Sequence, residues 1–117
     1  MTVYLKASVT CGDLEEGEEF PQKCEQITRS IVRVNWDAKG GLPQGDLRLA
    51  FIRDVMVSYW IVTNYDTSRE VVWGVGDTAF DAILRALYNM TKGVSDSNEI
   101  AEITKKFMEL YEKYMQG

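Results

Sequence analysis

Along residues 2–10, Val3, Leu5, Ala7 and Val9 alternate with Tyr4, Lys6, Ser8 and Thr10, the period of a strand with one buried face. From Leu47 the alternation returns. Leu47, Leu49 and Phe51 interleave with Arg48 and Ala50 until Arg53-Asp54 interrupts the pattern as a bulge or bend. The runs 55–65 and 69–76 flank Asp66-Thr67-Ser68, which predicts a β-hairpin with a short polar turn. Both faces of 55–65 are apolar, since Val57, Tyr59 and Ile61 oppose Met56, Trp60 and Val62. Such a hairpin belongs at the centre of a sheet or against another subunit.

Residues 20–35 carry two patterns at once. Phe20, Cys24, Ile27, Ile31 and Val34 recur at helical spacing behind Pro21, yet Ile27, Thr28, Ile31, Val32 and Val34 are β-branched. The expectation is a short helix that gives way to a strand through Val34 and Trp36, followed by a Gly/Pro-rich loop over 37–46. Two helices close the chain. The first is expected from an N-cap at Asp77 to a C′ glycine at Gly93, with Phe80, Ile83, Leu84, Leu87 and Met90 on one face. Asp81, Arg85 and Asn89 fill the other, the first two at a spacing that allows pairing.

The second helix is expected from Asp96, with Glu99 at capping-box spacing. At about 100° per residue, its apolar positions from Ile100 to Met115 fill an arc of roughly 180°, wider than an ordinary core-facing stripe. Either the sheet and the neighbouring helix cover that surplus, or a second copy or a partner does. Tyr111, Tyr114 and Met115 are of the type enriched at interfaces, which makes a homodimer through this C-terminal helix an expectation to test. The fold class is therefore α+β in a single domain over 1–117: a mainly antiparallel sheet of about four to five strands, with two C-terminal helices packed on one face.

Composition narrows the chemistry. The chain has 117 residues, a net charge of −5 and no histidine. The acidic balance and scattered Lys and Arg lack the basic footprint of a duplex-binding module. Without histidine, Ser-His and Cys-His activation and most transition-metal sites drop out, so the balance leans away from an enzyme, with no catalytic residues, metal or cofactor assigned. No long apolar run or basic-then-apolar leader is present, so neither a membrane span nor a signal peptide is expected and the default setting is cytoplasmic. In that setting Cys11 and Cys24 are expected reduced, with Cys24 as a small buried hydrophobe beside Phe20 and Ile27.

Three features invite specific chemistry. Gly74-x-Gly76 before a helix suggests a phosphate cradle, but Asp77 and Asp81 stand where phosphate would sit, so Gly76 reads as a tight strand-to-helix turn. The hairpin, glycines and helix resemble the C-terminal half of a double-stranded RNA-binding domain. Asp77, Thr78, Ala79 and Phe80 occupy the positions where that family grips phosphate with lysines, so the resemblance is one of β-β-α geometry and not of membership. Arg29, Arg33, Arg48 and Arg53 would line one sheet face if 27–36 pairs with 47–53, either as a small basic patch or as a solvated surface.

The segment CGDLEEGEEFPQKC, 11–24, concentrates Asp13, Glu15, Glu16, Glu18 and Glu19 between the two cysteines. Its spacing fails the EF-hand pattern, because Gly17 and Cys24 fall where ligands are needed. It reads either as a hydrated linker or as an acidic surface for a basic partner. These readings converge on a small non-enzymatic protein-interaction module. It would act as an inhibitor or regulator of a basic nucleic-acid-handling protein, of a kind carried by phages and mobile elements. The acidic residues and the patch Tyr111, Tyr114 and Met115 would form its partner-binding surfaces. A ligand pocket or enzyme site between sheet and helices, bordered by Tyr4 and Lys6, is the first alternative; nucleic-acid binding through the arginines is the second.

Overall fold

Four strands form one antiparallel sheet in chain order: β1 (Thr28–Val34), β2 (Leu47–Arg53), β3 (Ser58–Asp66) and β4 (Arg69–Gly76). Helices α1 (Ala79–Thr91) and α2 (Ser97–Gln116) follow, so the architecture is α+β, as the hydrophobic pattern predicts. The computed structural model describes residues 11–37, 42, 45–66 and 69–117. The strand expected over 2–10, with Tyr4 and Lys6, most of the 37–46 loop and turn residues Thr67 and Ser68 lie outside the described residues.

The ambiguous stretch splits as its mixed pattern implies. Gln22–Ile27 forms a 3-10 segment behind Pro21, and the β-branched run Thr28–Val34 forms β1. Arg53 pairs with Ser58 across a tight turn in which the Asp54 N–H donates to the Val57 carbonyl at 2.8 Å. Val55, Met56 and Val57 therefore belong to a hairpin tip and not to the expected strand. They are 96%, 87% and 44% exposed, because the closing bond turns the chain before any of them can enter the ladder.

Pairing register assigns the two sheet faces. Leu47, Leu49 and Val62 face the helices with Val34, Ile103, Phe107 and Leu110. Ala50, Ile52, Tyr59, Ile61 and Val72 form a second core on the opposite face with Leu14, Phe20 and Cys24. The acidic segment 11–27 is thus the third layer of the domain. The same register corrects the arginine expectation. Arg33 lies opposite Arg48 and Arg29 opposite Phe51, so side-chain alternation puts Arg33 and Arg48 on one face and Arg29 and Arg53 on the other.

Helix α1 lies against β4 through small residues, Ala79, Ala82 and Ala86, together with Ile83 and Met90. A Cβ on Gly74 would stand 2.2 Å from the Ala82 carbonyl oxygen and 2.6 Å from the Ala86 nitrogen, and one on Gly76 would stand 2.7 Å from the Ala82 nitrogen. Real side chains never approach backbone that closely, so both glycines exist to let the helix lie on the strand. The buried stripe of α1 is consequently rotated from the expected one. Its centre of burial is the alanine row, which leaves Phe80 50% and Leu84 46% exposed. The helix is capped by Thr78 and not Asp77: the Thr78 hydroxyl accepts from the Asp81 N–H at 3.1 Å. Gly93 does follow the C-cap Lys92, and Asp96 caps α2 by accepting from the Asn98 and Glu99 N–H groups, both as expected.

Candidate partner-binding surface

The acidic segment is bound along the free edge of β4. The Gly17 N–H donates to the Val72 carbonyl at 2.7 Å, the Val72 N–H to the Glu18 carbonyl at 2.9 Å, and the Phe20 N–H to the Glu70 carbonyl at 2.7 Å. Glu19 bridges Val71. The approach is set by a turn over Glu15–Glu18, closed by the Glu18 N–H on the Glu15 carbonyl, with Gly17 at φ +90°. That position of a type II turn needs positive φ, and nothing lies within 4 Å of a Cβ built there, so the demand for glycine is conformational.

Side chains complete the attachment. Cys11 and Cys24 are joined by a disulfide with a Cα–Cα distance of 5.6 Å, against the expectation of reduced thiols. Burying Leu14, Phe20 and Cys24 on one sheet face, with Cys11 packed against them, draws the two ends of the segment together. The Tyr59 hydroxyl donates to the Cys11 carbonyl. Its pKa is raised, first by burial and then by the nearby carboxylates Asp13, Asp54 and Glu18, with a backbone hydrogen bond from Leu14 opposing. Arg48 lies beneath the strap, 2% exposed, and is held bidentately by Glu70 at 2.8 and 3.0 Å. Glu25 and Ser30 also accept from it, at 3.3 and 3.0 Å, and the Phe20 ring covers its guanidinium at 4.9 Å. This arginine is a structural tie between strap and sheet and is withdrawn from any basic patch.

The expected site residues therefore divide. Glu16 is turned onto the body: it accepts from Asn89 at 2.7 Å and the Val75 N–H at 3.4 Å, and pairs with Arg85 at 3.7 Å. Arg85 reaches this carboxylate and the Val75 carbonyl instead of Asp81. Glu18 is half-buried, while Asp13, Glu15 and Glu19 have exposed side chains. On α2, Tyr114 packs edge-on against Trp60 at 5.5 Å and Tyr111 against Phe80 at 5.7 Å, so both rings are largely engaged within the chain. Met115 alone of the three is mainly exposed, at 64%. The acidic surface and the α2 patch are separate surfaces. No signal in the pattern could have flagged Arg48 or Glu16 as anchors, because their partners come from elements distant in sequence: the 3-10 segment, β1 and β4 for Arg48, and β4 and α1 for Glu16.

A cleft of about 670 Å³ opens where the strap, the start of β3, the end of β4 and the first turns of α1 meet. Its polar walls come from Ser58, Tyr59, Asp77, Asp81 and Arg85. The Tyr59 hydroxyl is committed to the Cys11 carbonyl, and its raised pKa keeps the phenol neutral, unsuited to act as a base. Among the described residues no group of three or more Cys, Asp or Glu is placed to hold a metal ion, and no helix is long and apolar enough to cross a membrane. The chain matches no protein-family model, no curated protein and no solved structure.

Proposed function

We propose that this protein is a non-enzymatic interaction module whose acidic strap binds a protein partner with a basic surface, acting as an inhibitor or regulator of a nucleic-acid-handling protein of the phage or mobile-element type. One observation carries the reading. The carboxylate-rich run is fastened by three backbone hydrogen bonds, a disulfide and a buried arginine network, so Asp13, Glu15 and Glu19 are presented on fixed backbone. A linker needs no such fastening, whereas a binding surface benefits because ordering is completed before association. Clustered negative charge on a rigid edge steers a basic partner and sets register more than it adds affinity. Met115 at the end of α2 would serve the second contact, with Tyr111 and Tyr114 behind it.

The disulfide makes the cytoplasmic setting conditional. Such bonds persist in oxidising compartments or in the cytoplasm of hyperthermophiles. Alkylation and mass measurement of the protein taken from its own cells would decide between a reduced cytoplasmic form and an oxidised one. The binding proposal is tested by affinity capture from that source across a salt series, comparing the native chain with Glu15→Gln/Glu19→Gln. A partner retained at low salt, released as salt rises and lost in the variant is the expected result. Capture of the same proteins by both forms at every salt concentration would end the proposal. The cleft favours a second reading, a small-ligand site, which a bound ligand contacting Tyr59 and Asp81 in a co-crystal would establish.

A further inference from the structure

We infer that the chain forms a two-fold dimer through the outer face of α1, with the two copies of that helix antiparallel. This stands apart from the acidic-strap proposal and moves the expected self-association from α2 to α1. The observation behind it is a row of exposed apolar residues one turn apart: Phe80, Leu84 and Tyr88 are 50%, 46% and 67% exposed. A soluble helix normally turns charge outward along such a row. Beside it an apolar groove of about 170 Å³ runs between the helices, and Met108, 58% exposed, continues the surface onto α2.

Charge identifies the occupant as a second copy. Within the helix, one flank of the row carries Asp81 and Arg85, both exposed, negative then positive, and Arg85 keeps most of its side chain in solvent while reaching Glu16 at 3.7 Å. That order is complementary to its own reverse. With the two-fold axis at Leu84 and a rise of about 1.5 Å per residue, the partner's Arg85 comes within about 3 Å, measured along the axis, of Asp81. Phe80 faces the partner's Tyr88 in the same way, each four residues from the axis. In antiparallel pairs the same flanks meet, so these charges lie on one side of the seam, and the helix dipoles also oppose favourably. A parallel arrangement would set this flank against the opposite flank of the partner and lose the pairing.

A surface built from one face of a 13-residue helix and its neighbour is small for a specific interface, so dissociation in the micromolar range is expected. Sedimentation equilibrium from about 2 to 200 µM spans that range. The native chain should move from 13.3 kDa toward twice that mass. Leu84→Glu should weaken association by about thirtyfold or more while the circular dichroism spectrum stays native, since the side chain is half-exposed. Asp81→Arg and Arg85→Asp, each alone, place like charges together and should each weaken it about tenfold. An equimolar mixture of those two variants restores every pair across the seam, so it should associate nearly as tightly as the native chain. An intrachain role for Asp81 and Arg85 cannot produce that recovery. A native chain monomeric at 200 µM, an unaffected Leu84→Glu variant, or a mixture no tighter than its components would each overturn the inference.

Discussion

Replacing Gly74 by alanine tests whether the Gly-x-Gly pair seats α1 or cradles a ligand. An added Cβ would meet the Ala82 carbonyl oxygen at 2.2 Å, the Ala86 nitrogen at 2.6 Å and the Ala86 Cβ at 2.8 Å. Two of those three atoms are helix backbone, which cannot rotate away, so α1 must lift from β4 by about 1 Å to restore ordinary contact. Overpacking of this kind costs about 1–3 kcal/mol, and a rigid backbone contact belongs at the upper end. The ordinary effect of Gly→Ala is of opposite sign, a gain of about 0.4–1 kcal/mol from the unfolded chain. Gly93→Ala supplies that control, because nothing lies within 4 Å of its Cβ. Thermal unfolding followed by circular dichroism should show Gly74→Ala melting roughly 10 °C below the native protein, at about 4 °C per kcal/mol for a domain of this size. Gly93→Ala should melt level with the native protein or slightly above it. Adding Ala86→Gly to Gly74→Ala should recover only part of the loss, since the carbonyl contact remains. A Gly74→Ala protein as stable as native would refute the close-packing argument and return the pair to the phosphate reading.

Reducing the Cys11–Cys24 bond, or substituting Cys24→Ser, should lower stability by about 3 kcal/mol for a loop of this length, seen as a lower urea midpoint; an unchanged midpoint would show that the bond does not constrain the unfolded chain. Arg48→Ala should cost about 3–5 kcal/mol, because it strands the Glu70 carboxylate under the strap, and urea unfolding with amide exchange at Val72 would register both the loss and the loosened strap edge. Tyr59 has a pKa raised above its unfolded value by burial, so the folded state favours the neutral phenol. Its contribution is complete below the unfolded pKa of about 10 and declines as pH rises toward the folded pKa, because the unfolded chain ionises first. Native protein should therefore lose stability between about pH 9 and 11 more steeply than Tyr59→Phe, and equal slopes would be inconsistent with a buried phenol.

The sequence by itself determined the elements. Alternation over 47–53, the apolar run 55–65, the β-branching within 20–35, the helical stripe of α2 and its Asp96 cap are local or periodic properties, and each predicts an element that formed, with bounds of its own. Composition also spoke for itself: an acidic chain without histidine carries the same chemical limits in any fold. Boundaries failed where one bond outweighed a pattern, as when Asp54 closed a turn on Val57 and left Val55 and Met56 in solvent. What only the tertiary structure decided was which surfaces remain. The broad stripe of α2 suggested an uncovered face there, yet Tyr111 and Tyr114 found rings of their own chain in Phe80 and Trp60. The alanines of α1 and the glycines of β4 allowed a closer approach than large residues would, which rotated α1 and exposed Phe80 and Leu84 instead. The acidic segment looked like a loop because charge dominates its composition, but Leu14, Phe20 and Cys24 lie between the carboxylates and bury on a sheet face that the sequence does not show to be vacant. Which carboxylates are available to a partner follows from that docking. It depends on long-range contacts to Asn89, Val72 and Arg48 that no local pattern encodes.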